Sequence, residues 1–317
     1  MNAIHVVAGA LEDQQGRILI ARRPEGRHQG GLWEFPGGKI ERGESPGQGL
    51  ARELEEELGI QVLASRPLIR VHHHYADRHI LLDVHRVTTY RGEPRGREGQ
   101  PLAWLAPQEM DPAVFPAADR PIISALRLPS LYLITGEDPA RPEEFLERLN
   151  RVLGSGVRLV QLRAHGLGEL AYARLAQAAW ALCEQQGARL LLNRAPELAE
   201  GLAGHGLHLR GQQLTALRER PPDWPLVGAS CHSGADLERA AELGLDYALL
   251  SPVLATASHP ASPFLGWAGF ASLVEAARLP VFALGGLRRQ DLDQAVAVGA
   301  QGIAMISGLW GDSVLDT

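Results

Sequence analysis

Short apolar runs recur along the C-terminal half of the chain at a spacing that few folds can accommodate. They fall at 131–134, 157–162, 190–192, 206–209, 226–229, 247–250, 281–284 and 302–306, and stretches with helical character, such as 170–183 and 237–243, lie between most of them. A run this short that is apolar at nearly every position has two faces to bury, as a strand of a parallel sheet does beneath covering helices. Eight such runs alternating with helices imply a closed parallel (β/α)8 TIM barrel. Residues 131–317 are compact for that fold and leave little chain for the last helix.

The preceding residues follow a different pattern, so the chain reads as two α/β domains, 1–128 and 131–317, joined at Leu128-Pro129-Ser130. A length of 317 residues is comfortable for two cores. The formal net charge of −6 argues against a nucleic-acid polymer as partner. Cys183 and Cys231 stand far apart with no CxxC or histidine spacing, which fits a reducing compartment. No basic segment followed by a long apolar stretch opens the chain, and no window reaches the ~18 uninterrupted apolar residues of a membrane helix. The expectation is a cytoplasmic protein without membrane contact, and the sequence gives no sign of its oligomeric state.

In the first domain, 4–11 and 17–21 read as two strands of a hairpin, 81–87 as a half-buried strand, and 120–126 as a closing helix. Residues 38–60, GKIERGESPGQGLARELEEELGI, form a loop–helix unit. Ser45 is placed to cap the helix, with Pro46 as its first residue, Gln48 as capping-box partner and Gly59 as the stop. Glu53, Glu56 and Glu57 then share one face with no lysine interleaved, and such like charges repel by a few tenths of a kcal/mol per pair. Either this is a solvated acidic face, or a divalent cation neutralises it. Oxygen-only ligands favour Mg2+ or Mn2+ over zinc. His72-His73-His74 reads as a strand-edge run, because adjacent strand residues point to opposite faces.

Gly38, Glu44, Arg52-Glu53-Leu54, Glu56-Glu57 and Gly59-Ile60 follow the spacing of the Nudix box at every specified position, and the first domain resembles a Nudix hydrolase. The flanking segments WEFPGGKIE at 33–41, DRHI at 77–80, GREGQP at 96–101 and FPAADRPII at 115–123 resemble the MutT branch, the 8-oxo-dGTP diphosphatases. That resemblance implies an α/β/α sandwich with a mixed sheet, Mg2+ as cofactor (Mn2+ as substitute), and a small-molecule nucleotide substrate. The reaction implied is hydrolysis at the β-phosphorus, releasing pyrophosphate. The Gly37 carbonyl, Glu53, Glu56, Glu57 and Glu98 become the metal and base set, Glu53 or Glu98 takes the proton, and Arg52 orients Glu56. Arg23, His28, Glu34, Phe35, Pro36 and Gly37 match nucleotide-contacting positions. Asp119 stands where the branch carries a base-reading asparagine. An ionised carboxylate only accepts hydrogen bonds, whereas an amide also donates, so the degree of preference for 8-oxo-dGTP over dGTP is open. Undamaged nucleotides and thiamine-pathway pyrophosphates are the alternative substrates.

YLIT at 132–135, GVRLVQLR at 156–163, LLLN at 190–193, GASCHS at 228–233, LDYALLSPV at 245–253, LPVFALGGL at 279–287 and GAQGIAMISGL at 299–309 resemble the thiamine phosphate synthase and thiazole tautomerase superfamily. The resemblance implies a phosphate cradle at Gly285, Gly286, Ile306 and Ser307, further site positions at Arg163 and Asn193, and an acid–base role for His232. His232 reads equally as a strand-end histidine satisfied by a backbone carbonyl. The chain departs from the superfamily where two aspartates would hold Mg2+: one position carries Arg194 and the other Gln213 or its neighbour. The lysine expected after Arg163 is Ala164, and the Thr/Lys-rich loop reads Thr256-Ala257-Ser258-His259. Three readings of the barrel follow: a degenerate module, an active synthase or tautomerase, and a non-catalytic site for a thiazole or pyrimidine phosphate.

Overall fold

The computed structural model describes residues 4–26, 29–75, 79–136, 141–256 and 263–311. Its contacts divide into two compact units, one built mainly on Met1–Arg127 and the other on Leu128–Glu275 and Leu279–Thr317. Among the described residues no helix is long and apolar enough to cross a membrane.

The first unit runs β1 (Ile4–Leu11), β2 (Ile18–Arg22), β3 (Trp33–Glu34), β4 (Gly37–Lys39), α1 (Pro46–Leu58), β5 (Gln61–His74), β6 (His79–Arg91), β7 (Leu102–Leu105) and α2 (Arg120–Arg127). One mixed sheet has the order β4-β1-β6-β5, in which β1 and β6 are parallel and the outer pairs antiparallel. A second sheet, β3-β2-β7, is antiparallel.

The hairpin expected from 4–11 and 17–21 does not form. β1 joins one sheet and β2 the other; they meet at the bridge between Glu12 and Ile18 and at the Asp13 amide's bond to Arg17 O at 3.0 Å. The turn between them is real, since Asp13 Oδ1 accepts from the Gln15 and Arg17 amides. β1 and β2 nevertheless separate because β1 is buried on both faces. Val7 and Leu11 pack with Leu50, Leu54 and Leu58 of α1 on one side. Ala8 and Ala10 pack with Ile122, Ile123 and Leu126 of α2 on the other. Each fully buried leucine contributes roughly 1.5–3 kcal/mol, and a two-stranded ribbon could not supply that cover.

Helix α1 begins and ends as its residue types dictate. Ser45 Oγ accepts from the Gln48 amide at 3.4 Å while Gln48 Oε1 accepts from the Ser45 amide at 2.9 Å. Gly59 closes the helix in the left-handed region at φ 73°. Leu50, Leu54 and Leu58 form the buried stripe, which turns Glu53, Glu56 and Glu57 away from the core.

The second unit is a closed barrel of parallel strands, β8 (Leu131–Ile134), β9 (Leu159–Leu162), β10 (Arg189–Leu192), β11 (Gly206–Leu209), β12 (Val227–Cys231), β13 (Tyr247–Leu250), β14 (Val281–Leu284) and β15 (Gly302–Met305). β8 pairs with both β9 and β15 and completes the closure. The interior is partly polar. Tyr132 Oη lies 2.9 Å from Tyr247 Oη and 3.2 Å from both Gln161 Oε1 and His208 Nδ1. Burial pushes the His208 pKa down to about 3, so the ring is neutral there.

Candidate functional site

Glu98 is far from α1 in sequence, and the helix end accounts for its approach. The last carbonyls of α1 have no partner within the helix. The 95–100 segment supplies donors: the Arg95 amide to Leu58 O at 3.0 Å, the Arg97 amide to Glu57 O at 2.9 Å, and Gln100 Nε2 to Glu57 O at 3.3 Å. Arg97 Nη1 adds a bond to Glu55 O at 3.1 Å. The segment is thus pinned against the helix C-terminus with Glu98 in a tight turn. Arg95, Arg97 and Gln100 were not singled out by the sequence, because nothing in their spacing marks them as donors to a remote helix end.

From the other side, β4 brings its glycines against the helix. The Gly37 amide donates to Glu57 Oε2 at 3.1 Å. A side chain at position 38 would collide with the Glu53 carboxylate, so only glycine lets strand and carboxylate approach this closely. Burial raises the Glu57 pKa to about 7, and the charges of Glu34, Glu53 and Glu98 push the same way. These carboxylates therefore share one electrostatic neighbourhood. Glu56, with 62% of its side chain exposed, is at the rim.

Arg52 braces this group. Its guanidinium donates to Glu44 at 2.8 and 3.0 Å, to Glu53 Oε1 at 2.9 Å and to Lys39 O at 3.0 Å. Its bond to Glu56 is the longest, 3.4 Å. The helical spacing predicts Glu56 as its partner; the structure has that bond and adds shorter ones to Glu44 and Glu53. A loop carboxylate that folds back eight residues lies outside any helical rule. The fork holds the Glu44 pKa down to about 2.

The nucleotide-contacting candidates gather beside it. Arg23 Nε lies 3.3 Å from Glu34 Oε2. The Phe35 ring is not available to a ligand, being 4% exposed and stacked on Phe115 at 5.8 Å between centroids. Its backbone is used instead, bonding Asp119. The Pro36 carbonyl accepts from the Gly9 amide at 2.8 Å. Asp119 is 7% exposed. Burial, reinforced by the charge of Glu34 and opposed by Arg23, pushes its carboxyl up to about 8. His28 lies outside the described residues, as do Asp77 and Arg78.

Among the described residues no three His, Cys, Asp or Glu side chains already form a clasp for an ion. The fit to a divalent cation rests on charge and donor type. Hard oxygen donors crowd one place, and one of them, Glu57, is driven toward protonation by burial and further by the charges of the others.

In the barrel, Arg163, Asn193, His232, Gly285, Gly286, Ile306 and Ser307 all line one cavity of about 920 Å3. Asn193 is engaged in the framework, donating to His208 O at 2.7 Å. His232 Nδ1 donates to Ser251 O at 2.8 Å, so in the neutral ring Nε2 is the acceptor. The bond to a backbone carbonyl is the one expected of a strand-end histidine. The sequence did not single out Ser230 or Arg210, which also line the cavity. Ser230 Oγ lies 2.9 Å from His208 Nε2. Thr256 reaches the cavity, while Ala257, Ser258 and His259 lie outside the described residues.

The two departures from the metal carboxylates have other partners. The Arg194 guanidinium stacks 4.1 Å from the Tyr172 ring centroid and donates to Ala164 O and Leu167 O at 3.1 and 2.6 Å. Gln213 Oε1 accepts from the Arg210 amide at 2.8 Å. Neither position supplies an anionic ligand, and Mg2+ does not fit there.

Residues 7–125 match the NUDIX domain, and residues 131–309 match the thiamine monophosphate synthase family. Over 127 residues the chain is 37% identical to the 8-oxo-dGTP diphosphatase of Escherichia coli strain K12, spanning 40% of this chain and 98% of that protein. It is 39% identical over 125 residues to the CTP pyrophosphohydrolase of the same organism, 39% of this chain and 92% of the relative. The second unit is 31% identical over 191 residues to the thiamine-phosphate synthase of Syntrophomonas wolfei, 59% of this chain and 91% of the relative. The chain belongs to the NUDIX family through its first unit and to the thiamine monophosphate synthase family through its second.

Proposed function

We propose that the first unit is a Mg2+-dependent pyrophosphohydrolase of nucleoside triphosphates whose preferred substrate is 8-oxo-dGTP, cleansing the nucleotide pool and so limiting mutation in DNA replication. The observation that carries this reading is the convergence of Glu34, Glu53 and Glu98 around Glu57, against which β4 brings the Gly37 amide at 3.1 Å; burial raises the Glu57 carboxyl to about 7 and the three neighbouring charges add to it. The similarity to the E. coli 8-oxo-dGTP diphosphatase supports the choice of substrate.

In this reading the Gly37 carbonyl, Glu53, Glu56, Glu57 and Glu98 hold the ion. When bound, Mg2+ neutralises phosphate charge and acidifies a water. Glu53 or Glu98 takes the proton from the attacking water. Arg52 acts through Glu53, which it holds in place. Arg23 and the backbone around Glu34, Phe35 and Pro36 orient the nucleotide, and Asp119 contacts the base. Reaction in the cytoplasm is part of the same reading, supported by two free, buried cysteines.

A competing reading takes undamaged nucleotides as substrates, favoured by the carboxylate at Asp119 and by the similarity to a CTP pyrophosphohydrolase. Comparing kcat/KM for 8-oxo-dGTP, dGTP, CTP and thiamine pyrophosphate decides between them. Our reading expects 8-oxo-dGTP to lead by at least about tenfold, since an unmatched buried polar group costs about 1–3 kcal/mol. Equal or faster turnover of any other member would overturn the choice of substrate. For the second unit we propose loss of metal-dependent synthase chemistry, because Arg194 and Gln213 stand where the ion's carboxylates would be.

A further inference from the structure

Glu98 stands in the turn 96–99, which the Gly99 amide closes on Gly96 O at 3.1 Å. Within such a turn the amide of the third residue, here Glu98, has no backbone partner of its own. Gln100 supplies one. Its Oε1 accepts from the Glu98 amide at 2.9 Å, while its Nε2 donates to Glu57 O at 3.3 Å. One carboxamide thus spans the turn that carries Glu98 and the helix residue that carries Glu57. Reversing the amide would set donor against donor and acceptor against acceptor, so the two bonds fix its orientation together.

The surroundings hold Gln100 where this bridge can form. Pro101 O accepts from the Arg22 amide at 2.9 Å, which ties the chain just after Gln100 to β2. A Cβ at position 96 would run into the Gln100 carbonyl, so glycine there lets Gln100 fold back over the turn. Gln100 is half-buried, whereas Glu98 is exposed. An exposed turn with few buried contacts opens readily unless a neighbour pins it. The Arg95 and Arg97 amides cap the helix from positions before Glu98, and Gln100 binds the Glu98 backbone itself. A brace for the helix end alone would need only the Nε2 bond. The Oε1 bond serves Glu98.

We propose that Gln100 is a positioning residue for the hydrolysis, one that sets the reach of Glu98 toward Glu53 and Glu57 while touching neither nucleotide nor ion. The inference rests on the reading of the first unit as a nucleotide hydrolase that uses Glu98.

Kinetics and amide hydrogen exchange of the full chain test it together. With Mg2+, Gln100→Ala should lower kcat by about tenfold or more on 8-oxo-dGTP and by the same factor on dGTP, with KM changed less than about threefold, because Glu98 acts at the phosphates both share. Gln100→Met keeps the length and loses both bonds, and should match Gln100→Ala. Both should keep the parental circular dichroism spectrum. In a Glu98→Gln background, Gln100→Ala should cost less than about twofold more, since a residue that acts through Glu98 then has nothing left to position. Independently of turnover, exchange in the 96–99 turn should accelerate by about tenfold or more in Gln100→Ala and stay parental in Glu98→Gln. Losses that multiply in the double variant, a loss confined to KM, a parental kcat in Glu98→Gln or in either Gln100 variant, or unchanged exchange would overturn the inference. Turnover that depends on Glu53 yet is indifferent to Gln100 overturns this inference alone. No turnover by the parent chain, or a parental rate in Glu53→Gln, overturns the hydrolase reading and this inference with it.

Discussion

Glu53→Gln is expected to lower kcat for nucleotide hydrolysis by roughly 10³-fold while leaving the chain folded, since a positioned general base or metal-held carboxylate contributes at about that level. The substitution keeps an oxygen for Arg52 Nη1, now 2.9 Å from Glu53 Oε1, and removes only charge and basicity. Its effect on stability separates a functional carboxylate from a structural one. Glu53 is among the charges that push Glu57 toward protonation, so removing it relieves repulsion. Melting temperature should hold or rise slightly. A marked fall in melting temperature with activity retained would mean that the Arg52–Glu53 pair is a structural ion pair and nothing more.

Asp119→Asn should change both stability and base preference, each as a function of pH. Asp119 is pushed up to about 8, well above the 3.8 of an ordinary aspartate. Between those values the unfolded chain releases the proton while the folded chain retains it. The stability linked to this group is therefore fully present below about pH 4 and declines as pH rises toward 8. An asparagine resembles the protonated acid and cannot ionise. At about 1.4 kcal/mol per pH unit, Asp119→Asn should be more stable than the parent by a few kcal/mol at about pH 8.5 and equal to it near pH 4. Calorimetric unfolding of both chains across that range checks this, and parallel stability curves would contradict it.

The same proton bears on selectivity. A neutral carboxyl has one donor and one acceptor, and can meet both O6 and the N7–H of an 8-oxoguanine; the ionised form can only accept. O6 is an acceptor in both bases and loses its donor in both, whereas the ionised carboxyl still accepts from the N7–H of the 8-oxo base and meets only an acceptor at N7 of guanine. The ratio of kcat/KM for 8-oxo-dGTP over dGTP should therefore rise by about tenfold or more between roughly pH 6.5 and 9.5 in the parent chain, the cost of one unmatched buried contact. In Asp119→Asn it should stay flat. A flat ratio in both would remove Asp119 from base recognition.

How much of this was legible in the sequence differs by element. The caps of α1 were readable because Ser45, Gln48 and Gly59 act on their own backbone neighbours. The barrel strands were readable because each is short, apolar and flanked by helices. What escaped was decided at long range. β1 and β2 look like a hairpin until the burial of β1 on both faces is known. Strands β3 and β4 are too short to carry a period. A further partner of Arg52, Glu44, lies in a loop, Glu98 is placed by amides that cap a helix in another part of the chain, and the Phe35 ring is buried against Phe115. The protonation of Asp119 comes from burial and from Glu34, neither of which the sequence displays. In the barrel, an arginine in place of an acid signalled the loss of a metal ligand, but its work as a clamp on Ala164 and Leu167 needed coordinates.

The central claim is water attack at the β-phosphorus beside the carboxylates of α1. Turnover of 8-oxo-dGTP by the full chain with Mg2+ in 18O-labelled water, followed by mass analysis of the products, tests it most directly. The account predicts 8-oxo-dGMP without label and pyrophosphate carrying one labelled oxygen. Release of orthophosphate, label in the nucleoside monophosphate, or no turnover at all would contradict it.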